Sequence, residues 1–177
     1  IVATKEIQDR LAALDYEPIN STPEQLATTI NEDVARWQKI VAFLKNTAQR
    51  YHGAWPHWLN GANGATVPFS TKDNGADLVE TSYLMQGLLT VRQYLNAADP
   101  TEAQLKADIQ YLWETVEWDW FTRGGQNVLY WHWSPSVGWA MNFQIRGWNE
   151  CLITYVMAAS STTYGIPRTV YDQGWAN

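Results

Sequence analysis

The chain has 177 residues, enough for one domain or one plus a small appendage, and a chain of about 150 residues already buries roughly 70% of its unfolded surface. Apolar residues make up 46%, which excludes a disordered or collagen-like chain, and the net charge of −6 argues against nucleic acid as a partner. No apolar run approaches ~18 residues, so no membrane partner is expected; Ile1 is followed by no basic-then-apolar leader pattern, so no signal peptide is expected; and the lone Cys151 leaves the compartment open.

In chain order, Ile7, Leu11 and Leu14 share one face and predict a first helix from Lys5 to Leu14, which Pro18 ends by disfavouring a helical Glu17. Thr22, Pro23 and Gln25 form a capping-box signature, and Leu26, Ile30, Val34, Trp37, Val41 and Leu44 carry one apolar stripe through a second helix, continuous across Trp37 to Lys45. The composition then changes. Of the 11 tryptophans only Trp37 precedes residue 50, so two sources of sequence are suspected.

Gly53, Pro56, Gly61 and Gly64 make the next stretch an aromatic loop. Long helices are expected over 76–95 and 101–121, with Gly124-Gly125 stopping the second. Asn127 to Trp133 alternates like a short strand, Ser134 to Gly138 turns, and Trp139 to Ile145 can return as a hairpin partner. A last apolar helix is expected over 150–159, followed by loop to Asn177.

The chemistry-bearing residues are carboxylates. Asp73, Asp77 and Glu80 are spaced i, i+4, i+7, which on a helix confines them to an arc of roughly 60°. Leu78, Val79, Tyr83, Leu84, Met85, Leu88 and Leu89 surround them, and a helix apolar all round is a buried one. Buried carboxylates cost several kcal/mol unless paired or functional, and only Lys72 and Arg92 lie nearby in sequence. A row lining a polar cleft is one reading; Asp73 as a cap and Asp77 as a first-turn partner of the helix dipole is the other. Glu150 precedes the last helix between Trp148 and Cys151. There it is either a helix-start residue or a desolvated carboxyl of raised pKa, suited to act as a general acid.

The aromatics between residues 111 and 148, Trp131, Trp133, Trp139 and Trp148 among them, offer stacking faces for sugar rings, with Arg146 available to hydroxyls. Each taken singly is also a candidate core residue. His52, His57 and His132 show no metal-ligand spacing and read as hydrogen-bonded loop residues, so neither a metal nor another cofactor is expected. Nothing matches a phosphate loop or a serine nucleophile elbow.

Two resemblances follow from these segments. The stretch "ATKEIQDRLAALDYEPINSTPEQLATTINEDVARWQKIV" resembles the C-terminal tail of periplasmic solute-binding proteins of the tripartite tricarboxylate transporter class, whose ligand loops lie upstream of that tail. No ligand residues carry over. The motifs "RYHGAWPHWLNG", "PFSTKDNGADLVETSYLMQGLLTVRQY", "VEWDWF", "NVLYWHWSP", "GWAMNFQIRGWNECLITYVMAASS" and "VYDQGWA" resemble bacterial glucoamylase-like glycoside hydrolases, in particular glycoside hydrolase family 144. The resemblance implies an all-α fold, an incomplete (α/α)6-type toroid with aromatic loops and room for one short hairpin. It implies two parts, 1–39 and 40–177, joined near Trp37–Val41 in a chimera or a truncated chain. It implies that Asp73, Asp77 and Glu80 line the cleft and that Glu150 is the general acid; it leaves the base open, because the family's cleft is completed by residues well downstream of "VYDQGWA". The substrate class it implies is β-1,2-glucan or an oligosaccharide, cleaved with inversion by paired carboxyls in a periplasmic or secreted setting. A non-catalytic glycan-binding fragment and a functionless chimera are the competing readings, and self-association is open.

Overall fold

The computed structural model describes residues 4–17, 19 and 21–177, and divides into two compact units, Ile1–Gln38 and Lys39–Asn177. In the first unit, α1 (Lys5–Ala12) exposes most of its length, and its Lys5–Asp9 and Glu6–Arg10 pairs are solvent-facing. The predicted capping box opens α2 (Pro23–Asn46): Thr22 N–H donates to Gln25 Oε1 at 2.8 Å, and Gln25 N–H to Thr22 Oγ1 at 3.2 Å. The helix is unbroken from Trp37 to Lys45 as expected. Pro18, expected to break the chain, lies outside the described residues.

The second unit is mostly helical, with four two-residue strands among the described residues. These are β1 (Trp58–Leu59), β2 (Thr66–Val67), β3 (Ala76–Asp77) and β4 (His132–Trp133). The helices are α3 (Leu78–Tyr94), α4 (Pro100–Glu114), α5 (Leu152–Ser160) and the single turn α6 (Arg168–Val170). Helix α3 packs against both α4 and α5. Leu78, Met85 and Leu88 of α3, Ile109 and Leu112 of α4, and Tyr155 of α5 are almost fully buried there with Trp118 and Phe121. Asp99 caps α4 through the N–H groups of Thr101 and Glu102, and Pro100 takes the first helical position, where its missing N–H costs nothing.

Four expectations change. The helix expected over 76–95 begins at Leu78, because Ala76 and Asp77 are drawn into an antiparallel pair with Trp133 and His132. It is apolar all round in sequence but not in burial: Tyr83 is 39% and Tyr94 66% exposed. The helix expected over 101–121 stops at Glu114, and Trp118–Thr122 forms a 3-10 turn. The hairpin forms only in part. Trp131 N–H donates to Phe143 O, and Ile145 N–H to Leu129 O, but the next two residues, β4, pair with β3 instead. The loop expected after residue 160 contains α6 and a π turn at Tyr171–Trp175, which buries Trp175 in the core. Tyr155 locks this region. Its hydroxyl accepts from Leu129 N–H and donates to Ile145 O.

Gly75 permits the β3–β4 pairing. A Cβ there would lie 2.4 Å from the carbonyl oxygen of Trp133 and 2.6 Å from the ring of Pro135. Only a residue without a side chain lets the two backbones approach so closely.

Candidate functional site

The loop that carries Arg50 to His57 is fixed before it reaches the site. Arg50 donates to Gly53 O, Leu112 O and Thr115 Oγ1, and its guanidinium lies 4.3 Å over the Trp55 ring. Desolvation pulls its pKa down to about 10, so it stays charged at neutral pH. Trp55 then bridges to α3: its N–H donates to Thr81 Oγ1 and its carbonyl accepts from Asp77 N–H. The result places His57 beside Asp77.

Asp77 is completely buried and Asp73 is 5% exposed. Asp77 Oδ1 accepts from Glu80 N–H at 3.0 Å, capping α3, and from Trp131 Nε1–H at 2.8 Å. Its Oδ2 lies 3.0 Å from His57 Nδ1. His132 joins from β4, with Nε2 3.3 Å from Asp73 Oδ2 and 3.7 Å from Asp77 Oδ2. Asp73 reaches this point from a tight loop closed by Phe69 N–H and Ser70 N–H on its own carbonyl. The two acids therefore meet through a loop and a strand, not through one helical face. This corrects the helical arc drawn from their spacing.

Burial pushes the Asp73 carboxyl above its ordinary range, with nearby Asp77 adding to the rise and His132 and His57 opposing it. Burial likewise pushes His132 below the usual imidazole value against the pull of Asp77 and Asp73. His57, Asp73 and Asp77 offer donor atoms within 4.8 Å of one another, a cradle of a size that could hold a cation. The His57–Asp77 hydrogen bond already engages two of those donors.

Aromatic rings rise on both sides of this floor. On one side His57 contacts Phe69 (centroids 4.5 Å) and Trp58 (5.5 Å), and Trp58 and Phe69 are each 51% exposed. On the other, Trp131 lies parallel to His132 (4°, 5.5 Å) with Phe143 edge-on to both. Trp133 and Trp139 belong to a further cluster around Trp120, which stacks on His52 at 3.8 Å while His52 Nδ1 contacts Glu117 at 2.9 Å.

The remaining expected residues stand elsewhere. Glu80 is exposed in the first turn of α3 and lines a cavity of about 290 Å³ with Trp55, His57 and Leu84. Glu150 is exposed rather than desolvated, and its carboxylate makes no hydrogen bond or ion pair. The apolar helix after it, α5, starts two residues later at Leu152 and leaves Glu150 exposed. The Tyr83 hydroxyl donates to the backbone carbonyl of Glu150, and its phenol is pushed up by desolvation first and then by Cys151, Glu150 and Glu80. Burial raises the Cys151 thiol to about 11, which makes it an inert core residue. Trp148 is 78% exposed beside Trp175, and Arg146 is tied to Gln144 Oε1 and the carbonyls of Gln173 and Gly174.

The sequence reads His57 and His132 only as hydrogen-bonded loop residues and Phe143 only as one of many aromatics, and it does not mark Trp58 or Phe69. All five sit in the aromatic motifs quoted above, but their spacing carries no ligand pattern.

Comparison with known proteins extends the picture. A family profile described as "Glycoamylase: Putative glucoamylase" matches residues 142–177. The exo β-1,2-glucooligosaccharide sophorohydrolase (non-reducing end) of Parabacteroides distasonis is 47% identical over 151 residues, covering 84% of this chain and 21% of that protein. The chain resembles β-1,2-glucan hydrolases of glucoamylase-like kind. Among solved structures, the endo-β-1,2-glucanase of Chitinophaga pinensis, in complex with sophorotriose and glucose, aligns with a TM-score of 0.79 at 55% identity, over 82% of this chain and 34% of that one. The β-1,2-glucanase of Parabacteroides distasonis aligns with a TM-score of 0.81 at 47% identity, over 84% of this chain and 21% of that one. The chain thus spans about a fifth of the length of the curated relative it matches.

Proposed function

We propose that this chain supplies one wall and the acidic floor of a β-1,2-glucan-cleaving site, within an α/α toroid of which it forms a part. The buried Asp73–Asp77 pair between exposed aromatic rims carries the reading, in a chain about half identical to named β-1,2-glucan enzymes. Sugar rings present apolar C–H faces to Trp58, Phe69, Phe143 and Trp131, and their hydroxyls donate to the carboxylates. Trp133, Trp139, Trp148 and Arg146 are assigned to the substrate-facing side from the concentration of aromatics in the sequence, and Glu80 and Glu150 from their sequence positions together with the resemblance. In the complete site Glu150 protonates the departing glycosidic oxygen and a base outside this chain activates water, giving inversion.

The glycan-binding fragment is the second reading, and the exposure of Glu150 favours it for the 177-residue chain alone. Acid catalysts of this kind sit in desolvated settings, and the Glu150 side chain stands in solvent. Isothermal titration with sophorotriose, beside a reducing-end assay on linear β-1,2-glucan, separates the two. Binding without turnover supports the fragment reading, and neither binding nor turnover removes both.

A further inference from the structure

We propose that the chain holds a second glycan site, on the side of β4 away from the Asp73–Asp77 pair, where a neutral sugar unit packs on Trp120 and Tyr164 and donates hydroxyls to Glu117 and Asp119. The proposal rests on the glucan reading only for the linkage of the sugar; the sugar class rests on the lining.

Neighbouring residues of a strand point to opposite faces. His132 of β4 meets Asp73 and Asp77. Trp133 instead meets His52 edge-on at 5.0 Å and Trp120 at 6.4 Å. On that side lies a cavity of about 480 Å³, whose lining includes Glu117, Asp119, Trp120, Gly124, Gly125 and Tyr164. It shares no lining residue with the cavity at Glu80 and His57. Its size falls within the roughly 300–1,000 Å³ of small-molecule sites.

The lining is held in place by the chain itself. His52 stacks on Trp120 at 3.8 Å and 12°, and its Nδ1 lies 2.9 Å from Glu117 Oε2. Glu117 N–H donates in turn to the His52 carbonyl at 3.0 Å. Tyr164 is tied to the same turn, its carbonyl accepting from Asp119 N–H at 3.1 Å. Gly124 and Gly125 leave one edge of the cavity without side chains.

The open groups define the ligand. Trp120 is 40% and Tyr164 39% exposed, which leaves ring surface for the apolar C–H faces of a sugar. Among the described residues, the Asp119 carboxylate and the Tyr164 hydroxyl make no hydrogen bond or ion pair, and Glu117 has committed one oxygen, to His52. No lysine or arginine lines the cavity. The adjacent Arg123 is drawn away to Asn142 Oδ1 and over the Tyr130 ring. Acceptors without a cation take a neutral ligand rich in hydroxyls and repel an anionic one.

Proton–nitrogen correlation NMR of the labelled 177-residue chain, titrated with sophorotriose, tests the site. The expected result is saturable shifts of the Trp120 indole N–H and of the Gly124 and Gly125 amides. These shifts should keep their midpoint in Trp58→Ala, which strips the rim of the cleft, while shifts at His57 and Trp131 weaken. Tyr164→Ala should weaken the Trp120 set about fivefold, the worth of one ring contact. Unmoved Trp120, Gly124 and Gly125 signals overturn the second site, as does a Trp120 set that weakens in step with His57 in Trp58→Ala. Parental affinity in a folded Tyr164→Ala chain overturns it too; if that variant does not fold, the parent and Trp58→Ala titrations decide. Tetramethylammonium that moves the Trp120 set where sophorotriose does not would make the cavity a cation cage and overturn the sugar class. Shifts at Trp120 with none at His57 or Trp131 support this site and remove the cleft reading; shifts at His57 and Trp131 alone do the reverse.

Discussion

Asp73 and His132 place opposite demands on pH. Burial makes the folded Asp73 hold its proton more tightly than the unfolded chain does. Its contribution to stability is present below the unfolded value of ~3.9 and is lost as pH rises through the higher folded value. The folded His132 holds its proton less tightly. Its contribution is present above ~6.5 and is lost as pH falls through the lower folded value. Asp73→Asn removes the first demand. In calorimetric scans the parent should lose melting temperature relative to Asp73→Asn as pH is raised from about 4 toward 7. Parallel curves would mean that Asp73 ionises freely in the folded chain. Glu150 is argued at the same scale. In a complete enzyme built around this segment, Glu150→Gln should lower the rate by at least ~10²-fold with glucan affinity nearly unchanged, since the amide keeps the carboxyl's shape. Full rate in that variant, with loss in Asp77→Asn, would move the acid to the buried pair.

The β3–β4 pair is the element on which the site depends, because its register sets Asp77 opposite His132. Gly75→Ala would drive a methyl to 2.4 Å from the Trp133 carbonyl. Backbone cannot yield there as a flexible side-chain tip could. The expected cost is about 1–3 kcal/mol, read as a lower urea midpoint, together with weakened sophorotriose binding. An unchanged midpoint would show that β4 is free to move and that its pairing does not hold the cleft. This pairing was illegible in sequence. Asp73, Asp77 and Glu80 fit a helical arc, and nothing local says that Ala76–Asp77 will leave the helix for a partner more than fifty residues away. The capping box at Thr22–Gln25 was legible because both of its partners lie within four residues. The apolar stripe of α4 was legible for a related reason, its periodicity being local, whereas α3 read as apolar all round and is not buried all round. The same limit hid His57 and His132: each becomes a site residue only through contacts that the tertiary fold makes, and neither has a sequence spacing that marks it. The burial of Trp175 was missed because a π turn has no sequence period of its own.

At the scale of the molecule, the second unit leaves apolar side chains in water. On α3 and α5, Tyr83 is 39%, Leu152 36% and Val156 47% exposed, and nearby Trp148 is 78% exposed. Exposed apolar side chains on two packed helices favour association, either with further chain or with another copy. The chain spans 34% of the Chitinophaga pinensis structure, so an isolated chain has far less partner surface than that enzyme. Two outcomes follow for hydrolysis. If the base is simply missing, activity on β-1,2-glucan is absent or lower by about 10²–10⁴ at every chain concentration, while binding persists. If a second copy completes the cleft, turnover per chain rises with concentration until the dimer saturates, and Val156→Lys, which places a charge on the exposed face of α5, abolishes that rise. We expect the first outcome, because the carboxyls this chain can duplicate are the buried pair and the exposed acids, and a copy of the same residues does not supply a base from a different segment. Reducing-end assays across a hundredfold range of chain concentration, beside light scattering for mass, decide it. A concentration-dependent specific activity that disappears in Val156→Lys would show that the site can be completed by association.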